Sequence, residues 1–132
     1  MAEPEWGGTF LLTNYKRDIE PHLHVIISDP TKNPDAIVTA NFTSWRADKD
    51  QSCVVGPGEH PWLTKRSCID YRRDRLITSE EYRTLTESRL VIPQEPVGAS
   101  LLQRILGGAA VSPHIPLESR EILADQNLID DE

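Results

Sequence analysis

The pattern of the chain changes at Ser79, and this change limits the fold more than any other feature. Before it, short runs rich in β-branched and aromatic residues are separated by Gly, Pro, Asn and Asp; after it, apolar residues recur at helical spacing. Strands come first and helices later, without the alternation that a parallel α/β sheet needs, and no segment repeats. The expected fold class is therefore mainly β with short C-terminal helices (β+α), forming a small curled sheet or barrel. With 132 residues and 38% hydrophobic content, the chain suits one domain with one core. Within 1-132, the β-rich part is 1-78, the helical part 79-126 and an acidic tail 127-132.

Six strand candidates are legible: GTFLLTNY from Gly8, HLHVIISD from His22, AIVTANFTSW from Ala36, SCVV from Ser52, SCIDY from Ser67 and RLIT from Arg75. The cluster DPTKNPD between the second and third forces a turn. Along the third, Val38, Ala40 and Phe42 point to one side and Ile37, Thr39, Asn41 and Thr43 to the other, which predicts one apolar and one polar face. Ser79 followed by Glu80 and Glu81 reads as an N-capped helix. A second helix carries Leu101, Leu102 and Ile105, with Gly107-Gly108 available to stop it. A third is led by Pro116 and ends near Asn127.

Charge narrows the function classes. Fourteen Lys and Arg against 21 Asp and Glu give a formal net charge of -7, which argues against nucleic-acid binding through an overall positive field. Any polyanion site must be local, and Lys65, Arg66, Arg72, Arg73 and Arg75 make the middle of the chain the place for it. Cys53 and Cys68 are too few and too far apart for a disulfide framework or a CxxC metal pair, so reduced buried thiols are expected. No leader, no membrane partner and a cytoplasmic location are the corresponding expectations. Phosphate-loop, GxSxG and HExxH motifs are absent from the sequence.

The most function-like stretch is GPGEHPWLTKRSCIDY, from Gly56 to Tyr71. Two glycines and two prolines fix a loop of unusual shape, after which Lys65 and Arg66 can neutralise phosphate and Ser67 can donate a hydrogen bond. A tight structural turn would use the same residues. His22 and His24, two apart on a strand, share a face, and His60 could join them from the loop. Three histidines beside Glu59 would suffice for zinc or iron; they could equally act as acid and base in phosphodiester cleavage, or serve structure alone. Asn41 and Thr43 offer hydrogen bonds from one face, with Ser44 next to them, and Trp45 and Trp62 can stack on a base or close the core.

As far as Tyr71 the chain resembles the MazF/PemK (Kid-like) toxin family: GTFLLTNY as first strand, HVIISDP as a proline-flanked second, IVTANFTS as third, then a loop and strand. The resemblance implies a small SH3-like barrel with short helices, a homodimer, and cleavage of single-stranded RNA without metal or cofactor, opposed by an antitoxin protein. One of the family's two principal catalytic positions, a Ser or Thr ending the third strand, falls on Thr43 or Ser44. At the other, an arginine before the second strand, this sequence has His22-Leu23-His24 and no arginine, so the charge that stabilises the phosphorane would have to come from a histidine or from Lys65 or Arg66. The resulting assignment makes His24, Thr43, His60 and Lys65 catalytic, and gives substrate contacts to His22, Ser44, Trp45, Trp62, Arg66, Ser67 and Tyr71. Two other classes remain open: a non-catalytic SH3-like interaction module gripping a partner with Trp45, Trp62 and Tyr71, and a small metalloenzyme using His22, His24 and His60.

Overall fold

A computed structural model describes residues 3–13 and 21–130 of the chain. Six strands, β1 (Thr9–Leu12), β2 (His22–Ile26), β3 (Ile37–Ser44), β4 (Val54–Val55), β5 (Ser67–Ile77) and β6 (Val91–Gln94), pair antiparallel in the order β4-β5-β3-β2-β1-β6. Three helices follow or interrupt them: α1 (Ser79–Glu87), α2 (Ala99–Val111) and α3 (Leu117–Asp125). The fold is thus mainly β with short helices, but the sheet does not close: β4 and β6 remain its two edges.

Strand alternation sorts the apolar residues into two cores. Leu23, Val25, Ile27, Val38, Ala40, Phe42, Ile69 and Tyr71 form one face and meet Leu101, Ile105 and Ala109 of α2 and Leu123 of α3. Phe10, Ile26, Ile37, Ile77 and Val91 form the other, where Tyr82 of α1 packs. The polar set foreseen on β3 is correct in its direction, yet Thr39 and Asn41 are buried too. Cys53 and Cys68 are free and buried; burial pushes the Cys53 thiol up to about 11.

Four local expectations change. The segments SCIDY and RLIT are one strand, because a bulge sets Tyr71 to Asp74 opposite the single residue Ala40 while pairing continues on both sides. The strand β6 lies in the region expected to be helical; its Pro93 lacks a donor, which an edge strand tolerates. Helix α1 is capped by Thr78 rather than Ser79: Thr78 Oγ1 accepts from Glu81 N and Glu81 returns a bond to Thr78 N, both at 2.9 Å. Helix α2 runs through Gly107-Gly108 to Val111, since Gly108 is required for close approach to β5 and not for termination. At the C-terminus, Leu128 and Ile129 of the expected acidic tail pack against the larger core. Asn14 and Tyr15, expected at the end of the first strand, fall outside the described residues.

Candidate functional site

At one end of the sheet, where β2, β3 and β5 finish together, a groove of about 560 Å³ is lined by Pro21 and His22, by Phe42, Thr43 and Ser44, by Lys49, and by Trp62, Leu63, Thr64, Lys65 and Ser67. Three chain segments build it. The strand ends bring His22 and Thr43 side by side, the 45–51 loop supplies Lys49, and the turn beginning at Gly56 supplies Trp62 to Lys65.

The 45–51 loop is held by its own side chains. Trp45 Nε1 donates to Gln51 Oε1 at 2.7 Å, and Gln51 Nε2 donates to the carbonyls of Arg46 and Lys49 at 2.8 and 2.7 Å. Lys49 Nζ then reaches back to Thr43 Oγ1 at 2.7 Å and to the Ser44 carbonyl at 2.8 Å. On the loop's flank the Arg66 guanidinium lies 4.2 Å over the Trp45 ring. That face of the indole is taken, so a base approaching there meets the outer plane of Arg66 rather than Trp45.

The Gly56 turn is anchored on both sides. Gly58, at φ +85°, adopts a conformation that a side chain rarely permits, and its N–H donates to the Leu63 carbonyl at 2.9 Å. Glu59 caps Gly56 N at 2.6 Å and pairs with Arg104 of α2; this hydrogen-bonded guanidinium holds the carboxyl below its usual range. His60 Nδ1 accepts from Trp62 N at 3.0 Å, so its proton resides on Nε2, which faces the Glu95 carbonyl at 2.6 Å and Thr9 Oγ1 at 3.1 Å. The ring is 2% exposed.

His60 is therefore held as a structural pin, and it is not among the residues that line the groove. Thr9 pairs with Val25, whose side chain belongs to the larger core, whereas His24 pairs with Phe10 on the opposite face. The sheet separates His60 from His24, and the three-histidine metal centre is not assembled. Among the described residues no group of three His, Cys, Asp or Glu side chains is placed to hold a metal ion.

His24 also leaves the site. Its ring stacks on Phe10, and burial, with Arg75 and His22 adding to it, lowers its pKa to about 4. Tyr71 is fully buried, and its hydroxyl donates to the Ile105 carbonyl at 2.5 Å, so it ties β5 to α2 and cannot touch a substrate. The hydroxyl of Ser67 is turned to the Lys65 carbonyl at 3.1 Å.

Of the expected residues, His22, Thr43, Ser44, Trp62, Lys65 and Ser67 share the groove; Arg66 and Trp45 flank it. Lys49 was missed. It sits in RADKDQ between two aspartates and reads as an exposed loop; only its lysine reach toward the end of β3 hinted at more. No family model, curated protein or solved structure matches the chain.

What the groove can do follows from its donors. His22 Nδ1 faces the Phe42 carbonyl at 3.4 Å, a partner that only accepts, and among the described residues the Nε2 lone pair of the neutral ring has no partner. Lys49 and Lys65 supply positive charge, and Trp62 supplies an aromatic wall. A larger cavity of about 740 Å³, between α2 and the turn after α3, is walled mainly by Trp6, Val97, Leu102, Leu106, Leu128 and Ile129. It offers apolar surface and none of the expected site residues. Among the described residues no helix is long and apolar enough to cross a membrane.

Proposed function

We propose that the groove binds single-stranded RNA and cleaves it as an endoribonuclease of the MazF/PemK-like toxin class, without metal. The observation that carries this reading is the convergence of an imidazole, a hydroxyl and two lysines at one end of the sheet. In a net acidic protein, cationic and proton-transferring groups gathered in one groove provide a local site for an anion.

In the mechanism, His22 Nε2 removes the proton of a ribose 2′-hydroxyl and the oxygen attacks the adjacent phosphorus. The bond to the 5′-oxygen breaks, and that oxygen takes its proton from solvent, leaving a 2′,3′-cyclic phosphate and a 5′-hydroxyl. Lysine charge stabilises the phosphorane, and Trp62 stacks on a neighbouring base. His22 takes the role first given to His24 and His60.

The test is cleavage of a single-stranded RNA in the presence of a chelator. Wild-type protein should cleave, and His22→Ala should lose about a hundredfold in rate. In a bacterial host, inducible expression should arrest growth, with relief by a cognate antitoxin. Intact RNA under these conditions leaves the interaction-module reading, which retains Trp45 and Trp62 but loses Tyr71 to the core.

A further inference from the structure

Lys49 differs from the other cations around the groove. Lys65 and Arg66 are exposed, whereas Lys49 is half-buried and its ammonium is fixed by two hydrogen bonds. Both acceptors, Thr43 Oγ1 and the Ser44 carbonyl, are neutral, and among the described residues no carboxylate lies within ion-pair distance of Nζ. An ammonium has three donors, so among the described residues one is left over together with an uncompensated charge. By accepting from Lys49, Thr43 Oγ1 also has its own proton turned away from Nζ, and among the described residues that proton has no acceptor. Two adjacent donors and one unbalanced positive charge, rigidly held in a groove wall, are the requirements of a phosphate seat.

We propose that Lys49, oriented by Thr43, is the phosphate-binding residue of the groove and contacts one backbone phosphate directly, while Lys65 and Arg66 supply diffuse attraction. This rests on the reading of the groove as an RNA site and names the contact that sequence reasoning had assigned to Lys65. The ligand chemistry is a phosphate oxygen, whether from a nucleic-acid backbone or from free phosphate.

The seat is tested by binding of a short uridine oligonucleotide whose 2′-hydroxyls are methylated, which removes the nucleophile. Anisotropy is followed as salt is raised. For a single strand each phosphate neutralised contributes about 0.7 to the slope of log K against log salt. Lys49→Met, which keeps the stem and removes the charge, should lower the slope by about that amount. Thr43→Val, which removes an acceptor but no charge, should weaken binding severalfold at unchanged slope, a split that a purely structural role for Lys49 would not produce.

Equal slopes for wild type and Lys49→Met overturn the inference while leaving the groove reading intact. Absence of RNA binding by wild type sinks the groove reading instead. The seat is then judged with inorganic phosphate: a rise in the unfolding midpoint of wild type over chloride at equal ionic strength, lost in Lys49→Met, supports it, and an equal response of both proteins overturns it.

Discussion

The ring of His24 lies on that of Phe10, its neighbour across the β1–β2 ladder, with centroids 5.2 Å apart and planes 8° from parallel. Folding thus stores a neutral imidazole. With its pKa lowered from 6.5 to about 4, His24 takes up a proton in the unfolded chain before it does so in the fold. The stability this residue confers is complete above pH 6.5 and is lost as pH falls toward 4. Asp74 acts with the opposite sign. Both its carboxylate oxygens are buried and, among the described residues, without a hydrogen-bond partner, and burial, reinforced by Asp70, raises its pKa from 3.8 to about 8. Its contribution is complete below pH 3.8 and is lost as pH rises toward 8. Each group contributes a slope of up to ~1.4 kcal/mol per pH unit, so the two offset each other between pH 4 and 6.5 and only the Asp74 slope remains from 6.5 to 8. Urea midpoints measured from pH 4 to 9 should fall over that upper window in wild type and stay flat in Asp74→Asn. Parallel curves for the two proteins would contradict the assignment.

His60→Ala should destabilise the fold by about 2 kcal/mol, because Trp62 N and the Glu95 carbonyl lose a buried partner. Thermal unfolding reads this directly. Cleavage by the folded fraction should fall far less than in His22→Ala; comparable losses of rate at full folding would return His60 to the site.

The two neighbouring glycines of α2 should respond to alanine with opposite signs. At Gly108 an added Cβ would collide with Tyr71 Oη and lie 2.9 Å from both Cys53 Cβ and the Ser52 carbonyl, so Gly108→Ala should cost about 1–3 kcal/mol. Gly107 is exposed and meets nothing within 4 Å, so Gly107→Ala should gain about 0.5–1 kcal/mol from reduced chain entropy. Chemical denaturation of the two variants checks the pair.

His24→Phe preserves the stack on Phe10 and removes the imidazole. RNA affinity and cleavage should remain within about twofold of wild type, since the ring faces the covered half of the sheet and not the groove. A hundredfold loss would restore His24 as the proton carrier.

The sequence shows β1 to β3 clearly because their alternation is strong and their boundaries carry Gly or Pro. It hides β6, whose four residues include a proline and whose identity as a strand depends on pairing with β1 eighty residues away. The half of the site on strand ends, His22 and Thr43, was legible from residue type and position. The rest was not: which of two histidines on the same face enters the groove is decided by the row of the ladder, since His24 meets Phe10 while His22, paired with Leu12 at the strand end, stays exposed. Lys49 escaped notice because its role depends on the shape of a loop closed by Trp45 and Gln51, a contact that no local pattern announces.

The central claim is that the groove at the ends of β2, β3 and β5 is where RNA binds. Amide and lysine-side-chain NMR shifts recorded during titration with the methylated uridine oligonucleotide test it most directly. The expected changes concentrate on His22, Thr43, Lys49, Trp62 and Lys65, with His60 and Tyr71 unmoved. Changes centred on the apolar cavity around Leu102 and Ile129, or no changes at all, would contradict it.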